Sequence, residues 1–288
     1  MRGPHNIWRL IRTGATLERT GAMNVVLDAF DAPKPIRFVA RLLGKPFMWL
    51  GYYGDPSMPP ATRALTALGP AYIKFGQVLS TRPDVVGEEL AVQLRVLQDK
   101  LPPFDVAEAK REIEKELGQP VDTIFSDFSE PVAAASIAQV HKATLRETGE
   151  AVAVKVLRPG IEAAFRKDVD AFYFAASMVD FFAPGARRLK PLDVIEHFDG
   201  VVRGELDLRL ESASASEFAA NTADDEGFRL PDIKWDHSAR RVMTMSWADG
   251  VSMGDNDAID ALGVDRVELS ERVLQLFLNH ALRDGFFH

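Results

Sequence analysis

No cysteine occurs among the 288 residues, which excludes disulfides, thiolate nucleophiles and cysteine-ligated metals. Such a chain suits a reducing compartment. A run of about 18 apolar residues is also missing, so no membrane-spanning helix is expected. The opening MRGPHNIWRLIRTGATLERTG carries arginines but no uninterrupted apolar stretch, so it is not expected to act as a secretory signal. Positive charge is scarce: 34 Lys and Arg against 42 Asp and Glu leave a net −8, which argues against a nucleic-acid partner. The six histidines show no metal-ligand spacing, and no metal site is expected. No internal repeat or low-complexity tract is present.

The length leaves room for two domains or one two-lobed domain, and a hydrophobic fraction of 47% is ordinary for a globular chain. Charge is uneven along it. Residues 1–60 hold eight Lys or Arg and four Asp or Glu, a balance of +4, so the remaining 228 residues sum to −12. Within that arm, Ile36 to Tyr53 places Arg37, Arg41 and Lys45 four residues apart, one stripe of a helix among aromatic and aliphatic residues. Two readings stand: a helix lying in a lipid interface, or a helix docked on its own protein with a solvated basic edge.

Asp55 to Pro60 is a proline-rich joint that closes the arm. Residues 61–120 read as helical. Gly69-Pro70 puts a proline at a first helical position, and Pro83 stops that helix after about Ser80. A second helix is expected from Val85 to Gln98, and a third from Asp105, with Glu108 completing a capping box and Gly118 ending it. From Val121 the pattern turns to β-branched alternation. Pro131 to Leu157 reads as strand, turn (Arg146 to Glu150) and strand. Helices are expected over about 160–182 and 191–220, parted by Pro184-Gly185. Two more strands, Arg229 to Lys234 and Arg241 to Trp247, turn through Asp236-His237-Ser238. Ala248-Asp249-Gly250 is a joint, and Asp265 to Asp284 is a final amphipathic helix that Gly285 ends.

The hairpin carries the chemistry. Its second strand buries Lys155 in AVAVKVL, and an ammonium in an apolar strand needs a negative partner. Its first strand opens with Ala133, Ala134, Ala135 and Ser136, small residues where a kinase-type hairpin carries glycines over a nucleotide. Phosphates and a carboxylate would both answer the lysine. A carboxylate is expected on the 191–220 helix, where Glu205, Asp207 and Glu211 compete. Asp207 and Glu211 share a face, whereas Glu205 and Asp207 point apart; the alternative is a solvated acidic face paired with Arg203 and Arg209.

In this order of elements the chain resembles the UbiB family of atypical kinases. Four motifs carry the resemblance, from about residue 65 onward. They are Lys74-Phe75-Gly76-Gln77 (K-x-G-Q), the alanine-rich loop Ala133 to His141, Lys155, and Glu205-Leu206-Asp207 (E-x-D) with Glu211 as the helix glutamate. The implied fold is α+β: a protein-kinase-like N-lobe with a helical N-terminal extension and only the start of a C-lobe. The corresponding regions are a basic arm (1–60), an extension with K-x-G-Q (61–120), the N-lobe (121–247), and hinge with first C-lobe helix (248–288).

The resemblance implies nucleotide binding by Ala133, Ala134, Ala135, Ser136, Lys155 and Glu211. Met245 and Trp247 would lie at the hinge beside the adenine, where backbone groups do the recognition. Lys74, Gly76 and Gln77 would cover the site, with Lys74 paired to Glu205 and Asp207. Blocking a peptide groove in this way disfavours a generic protein kinase. His141 is read as structural.

ATP or ADP is the implied cofactor, with Mg for an intact member. After the sequence GFFH, which begins at Gly285, the family continues into a catalytic loop and a metal-binding D-F-G. A chain stopping at His288 is expected to lack catalytic Asp and metal ligands, and to bare the apolar face of Val273, Leu276 and Phe277. The implied function is an atypical kinase or ATPase supporting ubiquinone (coenzyme Q) biosynthesis, peripheral on the cytoplasmic face of the inner membrane. Its partners would be a nucleotide, ubiquinone-pathway lipid intermediates or enzymes, and a membrane surface met through the arm. The alternative is a non-catalytic module that binds lipid or a partner.

Overall fold

The computed structural model describes residues 6–29, 32, 34–97, 103–182, 187–188 and 190–285, with backbone only at 35, 36, 39, 43 and 182. The expected helix stop at Pro184-Gly185, the helix end at Gln98 and the residues Phe286 to His288 lie outside the described residues. Packing divides the chain into two interleaved units. The first holds residues 1–103, 134–138 and 158–203; the second holds 104–133, 139–157 and 204–288.

The first unit is helical. Its elements are α1 (Asn6–Thr20), α2 (Ala22–Ala29), α3 (Lys34–Gly44), α4 (Pro60–Leu68), α5 (Pro70–Ser80), α6 (Pro83–Val86) and α7 (Glu88–Arg95), followed later by α10 (Ile161–Phe182) and most of α11 (Pro191–Glu205). Pro70 starts α5 as expected. The helix expected from Val85 is instead broken at Gly87, whose φ of 78° is cheap for glycine and ends α6. Ile73, Val86, Leu90, Leu94 and Leu97 form the core between α4, α5 and α7. The N-terminal helices are part of this body, since α1 packs on α3, α4 and α10. Asn6 and Arg9 fasten it to Asp170 O and to the Asp168 carboxylate on α10.

The second unit carries α8 (Val106–Leu117), α9 (Val121–Ile124), strands β1 (Phe125–Ala134), β2 (Ala138–Leu145) and β3 (Ala151–Leu157), helix α12 (Leu208–Asn221), strand β4 (Val242–Ser246), and helices α13 (Asn256–Ala261) and α14 (Arg266–Asn279). The sheet order is β1-β2-β3-β4. Asp105 caps α8 through the Ala107 N–H, and Gly118 ends it in the left-handed region. Period-2 alternation sends Val152, Val154 and Val156 of β3 into a core with Ile113, Phe125, Leu145 and Val242.

Two expectations are corrected here. The single helix over 191–220 is two helices, parted at Leu206-Asp207. The Arg229 to Lys234 strand shrinks to a bridge between Ile233 and Met245 and a Lys234 N–H to Thr244 O bond before a 3₁₀ turn at Trp235–His237. Pro231 lacks the N–H that a ladder would need. Helix α14 runs into a π-helical turn, His280–Asp284, that Gly285 closes at φ 63°.

Candidate functional site

Alternation that buries the valines of β3 puts Lys155 on the opposite face of the sheet. There its ammonium meets both carboxylate oxygens of Glu211, at 2.6 and 2.8 Å. The pair is partly open: the lysine side chain is 22% exposed and the glutamate 41%. Glu211 stands in the first turn of α12, whose position is fixed from below. The Leu208 N–H donates to Arg240 O just before β4, Leu208 is buried, and Ser212 Oγ bonds back to Leu208 O. Sheet and helix therefore hold a fixed cation–carboxylate pair, an arrangement that suits a polyanion presented to the lysine.

The helix break explains the role of Asp207. Its side chain accepts the Arg209 N–H as N-cap of α12, and the Arg209 guanidinium grips both its oxygens at 2.9 and 2.6 Å. These bonds hold the carboxyl below its usual range. Of the two readings open for this acidic stretch, Glu211 meets the lysine while Asp207 is paired by Arg209. Glu205 closes α11.

The alanine-rich segment is the turn between β1 and β2. Among described residues only Lys190 is a non-glycine with positive φ, so Ala133, Ala134, Ala135 and Ser136 all keep ordinary backbone angles. Three carbonyls of the turn are bonded: Ala138 O accepts the Ala135 N–H at 2.8 Å, Ile137 O accepts the Arg158 N–H at 2.8 Å, and Ala135 O accepts from the Arg158 guanidinium. Ser136 is buried.

Helix α5 carries the K-x-G-Q residues in the first unit. A Cβ on Gly76 would stand 2.4 Å from Leu97 Cδ1 and 2.6 Å from Leu65 Cδ1, so the glycine lets α4 and α7 close on α5. Gln77 Nε2 donates to Leu97 O at 2.8 Å. Phe75 packs against Phe172 and Phe198, and the buried Tyr72 hydroxyl bonds Thr13, with burial pushing its pKa up to about 12. Phe75, Gly76 and Gln77 thus serve the packing of the helix, and Lys74 is half-buried on it.

Residues 96–288 match the family model for the ABC1 atypical kinase-like domain. That span holds the alanine-rich turn, Lys155 and Glu211. The chain belongs to the UbiB family of ABC1 atypical kinase-like proteins. It is 41% identical over 226 residues to the probable protein kinase UbiB of Marinobacter nauticus, covering 78% of this chain and 41% of that one. It is 42% identical over 233 residues to the probable protein kinase UbiB of Shewanella frigidimarina, covering 80% and 42%. The chain therefore spans about two fifths of the length of these curated relatives. A solved structure of the Rv3197–erythromycin complex from Mycobacterium tuberculosis is 30% identical, with 65% of this chain and 46% of that one covered and a TM-score of 0.47. The α+β, kinase-like N-lobe expected from the motifs is the fold of this UbiB-family chain.

Two UbiB residues named from sequence have committed backbones. Met245 pairs with Ala153 in the β3–β4 ladder, and the Trp247 N–H donates to Ala151 O. The Trp247 N–H is therefore occupied by Ala151 O and is closed to the backbone recognition of a base expected of it. The Trp247 indole itself donates to Asp249 and lies 4.5 Å from the Lys142 ammonium. His141 is structural in the sheet. Gln139 Nε2 donates to its Nε2 and its Nδ1–H donates to Ser129 O, while Gln139 also exchanges two bonds with the Phe104 backbone. Burial pulls the His141 pKa below its usual value.

Sequence reasoning missed Arg158 and the cluster at the π turn. There Asp225 accepts from His280 and from Arg283, which also grips Asp284. An arginine directly after the lysine strand was the available signal for the first; nothing local marked the second.

Proposed function

We propose that this chain forms the ATP- or ADP-binding part of an atypical kinase or ATPase that supports ubiquinone biosynthesis. The observation that carries the reading is the Lys155–Glu211 pair, held on sheet and helix with the ammonium partly open to a ligand. Lys155 would bind nucleotide phosphates, Glu211 would orient it, and the turn of Ala133, Ala134, Ala135 and Ser136 would line the nucleotide. Met245 and Trp247 would contact the base, and Lys74, Gly76, Gln77, Glu205 and Asp207 would cover the site. The probable protein kinase names of the Marinobacter and Shewanella relatives support the class of chemistry. Bound Mg would neutralise phosphate charge, and no residue among these is assigned as its ligand.

Calorimetric titration of the whole chain with ATP and ADP tests the reading. Micromolar binding that weakens at least tenfold in Lys155→Ala is expected. Equal binding by wild type and Lys155→Ala would overturn the site.

A second reading, a peripheral lipid-binding module, rests on a separate observation. Two cations of the basic stripe are bonded to their own protein, while Arg41 and Lys45 stand exposed. Arg37 reaches Asp28, Leu27 O and Ala32 O, and Arg41 reaches Asn24, while Phe38 and Trp49 stand 67% and 73% exposed beside Leu42, Tyr52 and Tyr53. We assign this face to a phospholipid surface on the cytoplasmic side of the inner membrane. No helix among the described residues is long and apolar enough to cross a membrane. Flotation with phosphatidylcholine vesicles should fall in the double variant Phe38→Glu, Leu42→Glu; undiminished flotation refutes the assignment.

A further inference from the structure

Arg240 and Arg241 are the two central residues of the turn that opens β4, and Ala239 and Val242 exchange main-chain bonds across them at 2.7 and 3.4 Å. Their carbonyls reach outward to both supports of the Lys155–Glu211 pair. Arg240 O accepts the Leu208 N–H at 2.9 Å, at the start of α12, and Arg241 O accepts the Leu157 N–H at 3.0 Å, at the end of β3. Two-residue hairpin turns favour forms with positive φ at a central position. Neither arginine has it, so this turn does not set its own shape.

Helix α8 sets it instead. Glu112 and Glu116 stand four apart on one helix face, where like charges repel unless a cation answers them. The Arg241 Nε lies 3.1 Å from Glu112 Oε2, and Glu116 Oε2 accepts the Arg241 N–H at 3.2 Å. The Nε and the Glu112 Oε2 are closed to water, and their contact is ionic, without hydrogen-bond geometry. A buried ion pair of that kind adds little net stability, so its effect lies in where it holds the turn. We propose that Arg241, clamped by Glu112 and Glu116, is a positioning residue for the Lys155–Glu211 pair. Through one turn the clamp aligns the strand that carries the ammonium with the helix that carries the carboxylate. Clamp, strand and helix all belong to the second unit. The consequence for ATP rests on the nucleotide reading above; the consequence for the pair does not.

The test uses the full chain and the double variant Glu112→Leu, Arg241→Met, which removes both charges together and so strands neither. Circular dichroism checks folding. NMR of isotope-labelled lysine follows the Lys155 ammonium, identified by its disappearance in Lys155→Met. Held by two carboxylate oxygens, that signal should be visible in the wild type and lost in the double variant. Calorimetry should show ATP weakened about tenfold, the effect of one charge-assisted bond. Arg241→Lys, which keeps the charge but not the planar fork, should fall between, and it carries the comparison if the double variant fails to fold. Ile113→Val trims the core on the same helix and should leave both readouts as in the wild type. An ammonium signal unchanged in the folded double variant, or lost equally in Ile113→Val, overturns the inference. A wild-type chain that binds no ATP overturns the nucleotide reading alone, and the ammonium signal then decides the inference.

Discussion

Removing one partner of the Lys155–Glu211 pair should have an asymmetric effect. Two unit charges about 4 Å apart attract by about 1 kcal/mol in water and about 4 kcal/mol at an effective dielectric of about 20. With the glutamate 41% exposed, the pair sits toward the aqueous end, and ordering two long side chains offsets part of the gain. A coupling of about 1 kcal/mol is expected. The single changes differ more. Glu211→Gln leaves an ammonium on the less exposed strand without its charge partner and should cost about 1–2 kcal/mol. Lys155→Met leaves a carboxylate that water reaches and should cost less than about 1 kcal/mol. A double-mutant cycle by urea unfolding, at low salt and near 1 M NaCl, measures all three, and the coupling should at least halve as the screening length falls to about 3 Å. A coupling of zero at low salt, or Lys155→Met costing more than Glu211→Gln, refutes the reasoning.

Gly76→Ala forces a methyl group against Leu65 and Leu97. The overpacking of about 1–3 kcal/mol should exceed the roughly 1 kcal/mol an alanine adds to helix stability, and thermal melting should show a net loss that Leu97→Ala partly relieves. His141 resists protonation when folded but takes a proton near pH 6.5 when unfolded, so protons favour the unfolded chain. Stability should be fully present above about pH 6.5 and decline below it, with a smaller slope in His141→Asn. The Arg283 and His280 contacts hold Asp225 down to about 2, so their contribution should be complete above about pH 4 and vanish as pH falls to 2. NMR titration of the Asp225 carboxyl, with and without Arg283→Gln, measures it.

What the sequence made legible was decided by pattern strength. Lys155 stood out because valines flank it at period 2, and that same alternation places it opposite the core. The Glu211 partnership needed the helix break, which the sequence hid: Leu-Asp-Leu-Arg-Leu-Glu keeps helical spacing across residues 206–211, and Asp207 reads as a cap only once the break is known. Strand β1 was largely invisible because Ser126, Asp127, Glu130 and Pro131 interrupt any alternation and half of its residues are exposed. The basic stripe of α3 was read correctly as helical spacing, but spacing does not say which side faces in. Acceptors on α2 and in the following turn bond Arg37 and Arg41, although Arg41 stays exposed, and no sequence period reports those bonds.

Those bonds alter how the N-terminal face should respond to ionic strength. The guanidinium groups of Arg37, Arg41 and Arg19 are occupied by a carboxylate, an amide oxygen and main-chain carbonyls, so the local excess of positive charge is partly internal wiring. Attachment through Phe38, Leu42 and Trp49 would be driven by ring insertion, with little counterion release. It should survive a high-salt wash that strips polybasic proteins, and it should yield to detergent.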